Sequence, residues 1–199
     1  MSGAFPISTA KFESLGIKSI QNTIISKSIS GKKLARQIDG QRWGFTARII
    51  TAKRSDVYGQ LMAFIIKQRS GKENFTIVPP EVEDARGTAS GTPTGTGSAG
   101  DTSITLGGTG TGTLKAGDFI KFANHSKVYM VVADQSDIST GTLTIEPPLT
   151  TAVSSSDIQY DDVPFTVYLT NDIQEFGVVG AGQDGTLLYQ FEFDVEEAL

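Results

Sequence analysis

Leu188-Tyr-Gln-Phe-Glu-Phe-Asp-Val-Glu-Glu197 carries the clearest strand signal in this 199-residue chain. Tyr189, Phe191, Phe193 and Val195 fall on one face of an extended segment, and Gln190, Glu192, Asp194 and Glu196 on the other. Strict period-two alternation of this kind marks a half-buried β-strand. The apolar face must lie on a core. The polar face is the informative one, because carboxylates two residues apart stand about 7 Å from each other and repel unless solvated or matched by cations. Three readings stay open for Glu192, Asp194 and Glu196. They form a solvated face, they pair with Arg42 and Arg48 across a strand or between copies, or they line a surface from which polyanions are repelled.

A second strand precedes the only convincing helix. Trp43, Phe45, Ala47 and Ile49 alternate with Arg42, Gly44, Thr46 and Arg48. Ser55 and Asp56 offer N-cap chemistry for a helix to about Arg69. Its apolar positions Val57, Leu61, Phe64 and Ile65 recur at helical spacing, Lys67 and Arg69 suit the negative end of the dipole, and Gly71 fits as the stop. Phe75-Thr-Ile-Val78 reads as a strand closed by Pro79-Pro80. Residues 1–40 hold apolar pairs among Ser, Lys and Gly and read as irregular or weakly paired strands, an arm. Residues 87–112 are dominated by Gly, Thr and Ser, the composition of a flexible linker. Beyond it, Phe119–Phe122, Lys127–Val132 and Leu143–Ile145 are short strands separated by turn signals, the pattern of a small antiparallel barrel or meander. Phe165–Thr170 is a further strand.

The formal net charge of −5 conceals an asymmetry. Residues 1–80 hold 13 Lys and Arg against four acids, +9, whereas residues 81–199 hold four against 18, −14. From Val163 to Leu199 there is no Lys or Arg. Either the two parts pack together and neutralise each other within one chain, or unlike surfaces meet between copies, as head-to-tail rings require. Lys32, Lys33, Arg36, Arg42 and Arg48 are the candidate cations for such contacts. Reversing Arg42 and Arg48 to Glu is then expected to block ring formation and spare the monomer.

The same composition excludes much chemistry. With no Cys there are no disulfides or thiolate metal sites, and a lone His leaves little from which to build a zinc cage. No apolar run approaches the ~18 residues of a membrane span, and no secretory pattern opens the chain, so a soluble protein made in a cytoplasm is expected. Gly95-Thr-Gly-Ser-Ala-Gly100 matches a dinucleotide-binding pattern but lacks the flanking strand and helix. Ser30-Gly-Lys-Lys33 lacks the other motifs of its enzyme class. His125 sits in a turn beside Asn124 with no triad around it. No cofactor and no enzymatic activity are expected.

The run Gly40-Gln-Arg-Trp-Gly-Phe45, a helix containing Leu61-Met-Ala-Phe-Ile65, then Gln68-Arg-Ser-Gly71 and Phe75-Thr-Ile-Val-Pro-Pro80 resemble tail proteins of long-tailed bacteriophages. The likeness is to the distal-tail and baseplate-ring group related to tail-tube proteins, over about residues 11–80 and 163–199. It implies a mainly β fold, a tail-tube-like β-sandwich or barrel with one flanking α-helix. Residues 1–83 and 163–199 would form this ring-forming domain. Residues 84–162, with the linker at 87–112, look like an inserted small antiparallel β-domain.

The resemblance implies a structural virion protein, a ring (hexameric in that group) at the distal tail, joining tail tube to baseplate hub or adaptor proteins around the DNA channel. It implies assembly in the host cytoplasm, DNA that passes without specific binding, and no membrane insertion. It leaves open whether the ring belongs to tube, distal tail or adaptor, and it supplies no catalytic residues. An acidic face on Glu192, Asp194 and Glu196 would suit a DNA conduit, since a lumen that binds phosphates would hold the genome. The competing reading is a carbohydrate- or protein-binding β module acting through the insert, with Phe119, His125 and Tyr129 as contacts.

Overall fold

The computed structural model of the chain describes residues 3–7, 11–38, 40–80 and 82–199. The alternation at 188–197 becomes β14 (Leu187–Glu197), and Phe191, Phe193 and Val195 along it are at most 2% exposed. It runs antiparallel to β4 (Arg42–Lys53) in a register from Leu188 opposite Lys53 to Glu196 opposite Gly44. That register puts Phe45, Ala47 and Ile49 on the same buried face. β1 (Phe12–Ile20) pairs with the far side of β4. β12 (Phe165–Leu169) pairs with the Glu197 end of β14, and β5 (Phe75–Ile77) with β12. β13 (Gly177–Ala181) pairs with the Leu187 end of β14 and, among the described residues, with no other strand.

One helical segment packs on this sheet. It opens as a π-turn, Arg54–Tyr58, and continues as α1 (Gly59–Lys67), burying Leu61 and Ile65. Ser55 and Asp56 lie inside the π-turn and no side chain caps it, so the expected N-cap is corrected. The wide turn instead needs Gly59, whose added Cβ would stand 2.8 Å from the Arg54 carbonyl. The helix is also not stopped by Gly71. Arg69 and Ser70 take left-handed φ values of 53° and 60° and turn the chain before it.

Residues 12–37 are more regular than an arm. β1 belongs to the sheet, and β2 (Thr23–Lys27) with β3 (Lys33–Gln37) forms a hairpin that, among the described residues, pairs with no other strand. Of the stretch 1–40 read as an arm, residues 1, 2, 8–10 and 39 lie outside the described residues.

The expectation of a flexible linker at 87–112 is overturned. This tract forms β6 (Pro93–Gly97) and β7 (Ser103–Gly108), which join β8 (Phe119–Phe122), β9 (Val128–Val131), β10 (Thr142–Glu146) and β11 (Val153–Gln159). The six close a barrel in the order β10-β7-β6-β11-β8-β9, every pairing antiparallel. A barrel this small leaves little interior. On β6 the inward places are therefore taken by Pro93 and Gly95, and a Cβ on Gly95 would lie 2.6 Å from the Phe122 ring. Ile104, Phe122, Tyr129, Leu143 and Ile158 fill the rest.

Candidate functional site

The outer face of the sheet carries Arg42, Arg48, Glu192, Asp194 and Glu196 of the charged residues singled out from sequence, and all but Glu192 find charged partners inside the chain. Arg42 Nη1 lies 2.8 Å from Glu196 Oε1. Asp194 accepts from Thr46 Oγ1 at 2.5 Å and pairs with Lys18 Nζ at 3.3 Å. The Thr46 hydroxyl first, and then Lys18, hold the Asp194 carboxyl below its ordinary range. Arg48 pairs with Glu13 at 3.6 Å and donates to Gln190 Oε1 at 2.8 Å. Glu192 sits opposite Arg48 in the register and meets no cation among the described residues. At the far end Lys53 binds Asp184, whose pKa is lowered to about 2 chiefly by that bond.

Three of these pairs, Lys18–Asp194, Arg42–Glu196 and Lys53–Asp184, join the basic to the acidic part of the sequence. Glu192 apart, the face is a ladder of matched charges. The structure does not bring Lys32, Lys33 and Arg36 to it. They stand on the β2–β3 hairpin, where no carboxylate meets them among the described residues.

A second charged constellation escaped sequence reasoning. Glu197, next to Glu196, points inward, and its side chain and that of Lys127 are 0% and 2% exposed. Lys127 Nζ is 2.5 Å from Glu197 Oε2 and also donates to Gln41 Oε1 at 2.8 Å. The backbone N–H groups of Trp43 and Val128 donate to the two Glu197 oxygens at 3.1 and 2.9 Å. Burial of a charge costs several kcal/mol, and this full set of partners offsets it. Burial also lowers the Lys127 pKa, against the pull of Glu197. The residues come from both sheet systems, so the cluster fastens barrel to sheet. Trp43 completes the joint, with Nε1 on the Val128 carbonyl at 2.9 Å and its ring edge-on to Phe119 at 5.1 Å. The signal was present in the sequence: 189, 191, 193, 195 and 197 share one parity.

The contacts expected for a binding insert are mostly out of reach. Phe119 and Tyr129 are buried, Phe119 between Trp43 and Phe165 and Tyr129 in the barrel core. His125 is half-buried, with Nδ1 2.7 Å from Asn124 Oδ1 and Nε2 2.8 Å from the Tyr129 hydroxyl. Thr150 N–H donates to that hydroxyl at 3.1 Å. Burial, and then Lys121, push the His125 pKa down. The network, which ends on the hydroxyls of Tyr129 and Thr150, holds the ring in place. Among the described residues no three His, Asp or Glu side chains are grouped to hold a metal.

A β-sheet with one flanking helix is thus joined to a closed barrel by buried polar contacts and carries an exposed hairpin. Residues 81–161, the barrel and its approaches, match the family model described as distal tail protein pb9, B domain. The match supports a phage distal-tail protein with a structural role in the virion tail, and it points to a non-enzymatic chain. No curated protein matches the sequence.

Proposed function

We propose that the chain forms a ring, hexameric in the tail-tube manner, that joins tail tube to baseplate hub around the DNA channel after assembly in the host cytoplasm. In this reading residues 1–83 and 163–199 build the ring and residues 84–162 are the inserted domain. The observation that carries it is the distal-tail match over the barrel. The buried Lys127–Glu197 joint supports it further, because an adaptor must hold its insert at a fixed angle to the ring.

The sheet face bearing Glu192, Asp194 and Glu196 is our candidate for the channel wall. Its cations are already held by carboxylates, so few are left to grip phosphates, and phosphate contacts are what dominate affinity for DNA. Electron microscopy of the protein alone and with its tail-tube partner tests the proposal. Closed rings with this face inward are expected. Rings that carry it on the outer rim would remove the channel role, and a chain that forms no ring alone or on the tube would remove the ring.

A further inference from the structure

The buried joint holds more chemistry than an ion pair needs. Around Lys127 Nζ stand a carboxylate and a carboxamide, Glu197 Oε2 at 2.5 Å and Gln41 Oε1 at 2.8 Å. Gln41, Lys127 and Glu197 are each at most 2% exposed. The Trp43 ring lies 5.9 Å from Nζ and is itself backed by Phe119. Water is kept from this centre, so a reaction between its groups meets little competing hydrolysis.

The three groups come from different parts of the fold and each is held still. Gln41 directly precedes β4, and Lys127 lies in the turn between β8 and β9. Gln41 Nε2 donates to Ser19 Oγ of β1 at 3.1 Å, which leaves the amide carbonyl turned to Lys127. The Trp43 and Val128 N–H groups fix the Glu197 carboxylate. The Gln41 carbonyl carbon lies one bond, about 1.2 Å, beyond the oxygen that Nζ already touches. Groups held at such range react with effective molarities that reach about 10⁵ M or more. The reaction needs a free amine, and burial favours one by pushing the Lys127 pKa down against the pull of Glu197.

We propose that Lys127 and Gln41 join in an isopeptide bond, with Glu197 as the proton carrier. The Lys127 ammonium gives one proton to Glu197, and the freed lone pair on Nζ adds to Cδ of Gln41. Glu197 passes that proton to Nε2 and takes a second from Nζ. The Nζ–Cδ bond forms, the Cδ–Nε2 bond breaks, and ammonia leaves. The step balances without a second reactant. An ion pair ends as a neutral amide beside a neutral carboxyl, so the cost of two buried charges disappears. The cross-link spans 86 residues and ties barrel to sheet, and it constrains the unfolded chain as a disulfide does.

Mass measurement of the intact, denatured full chain tests the bond. Wild type is expected below its sequence mass by one ammonia, and trypsin is expected to give the peptide of Gln41 linked to that of Lys127, uncut after Lys127. Gln41→Met and Lys127→Met should each show the full sequence mass. Gln41→Met keeps the Lys127–Glu197 ion pair, so the worth of the pair alone is read against that chain. Glu197→Gln, sampled beside wild type after a pulse of synthesis, should form the bond about 100-fold more slowly. A wild-type chain at full sequence mass after prolonged incubation overturns the bond, as does an ammonia loss that persists in Gln41→Met. Ligation of Glu197→Gln at the wild-type rate overturns the proton carrier. The ring stands or falls apart from all of these results.

Discussion

Glu196 and Glu197 are neighbours in sequence and opposites in energy. Glu196 turns to the outer ladder and pairs with Arg42, where water still reaches both side chains. Glu197 turns inward, where Lys127, Gln41 and two backbone N–H groups replace water altogether. Partly exposed ion pairs contribute about 0–1 kcal/mol, whereas losing one partner of a buried pair costs about 3–5 kcal/mol. The lesson is that the charged face is tunable and the joint between barrel and sheet is not.

The comparison breaks most directly at the joint. Lys127→Met alone should cost about 3–5 kcal/mol in a urea titration, because Glu197 is left buried and unpaired. Lys127→Met combined with Glu197→Leu should recover a large part of that loss, since replacing both charges by apolar groups removes the desolvation cost. If the single variant unfolds like wild type, the joint does not bear the load assigned to it.

Gly95→Val should cost about 1–3 kcal/mol by overpacking against Phe122 and Ile104. A loss confined to the barrel, read by hydrogen exchange, would show barrel and sheet opening separately. A loss spread over both would show that the joint couples them.

The pH response sharpens the contrast next. His125 is held below its ordinary value of about 6.5, so the unfolded chain takes up a proton before the folded one does. Its contribution is intact above about pH 6.5 and is lost as the pH falls toward the folded value. Protonated His125 can no longer accept from the Tyr129 hydroxyl. His125→Gln should flatten that part of the stability profile, and an unchanged profile would assign the acid sensitivity elsewhere.

The smallest effect is expected on the ladder. Arg42→Ala or Glu196→Ala should change stability by about 1 kcal/mol or less, and a double-mutant cycle should give a coupling that shrinks in salt. Reversing both Arg42 and Arg48 to Glu puts like charges opposite Glu196 and beside Glu13. It should therefore weaken the sheet of each monomer as well as any contact between copies. A fully stable monomer from that variant would return these arginines to the interface between copies.

The strands with strict alternation were legible because one face of each meets a core and the other meets water. β4 and β14 follow that rule along their lengths. The helix was legible in its buried face and misread at both ends. A π-turn needs a close-approach glycine in place of a capping side chain, and two left-handed residues did the work expected of Gly71. The barrel strands at 93–108 were not legible. In a barrel this narrow the core positions of β6 belong to Pro and Gly, so its composition imitates a linker.

The sequence by itself determined the mainly β character, the single helix, the buried faces of β4 and β14, and the division into a basic and an acidic part. These follow from local periodicity and composition, which need no knowledge of neighbours. Only the tertiary structure decided which charges meet. It showed that Arg42 and Glu196 belong to one chain, that Glu197 is sealed against Lys127, and that the hairpin cations are left without acids among the described residues. Pairing depends on which segments the topology brings together across 70 residues or more, and no local pattern encodes that.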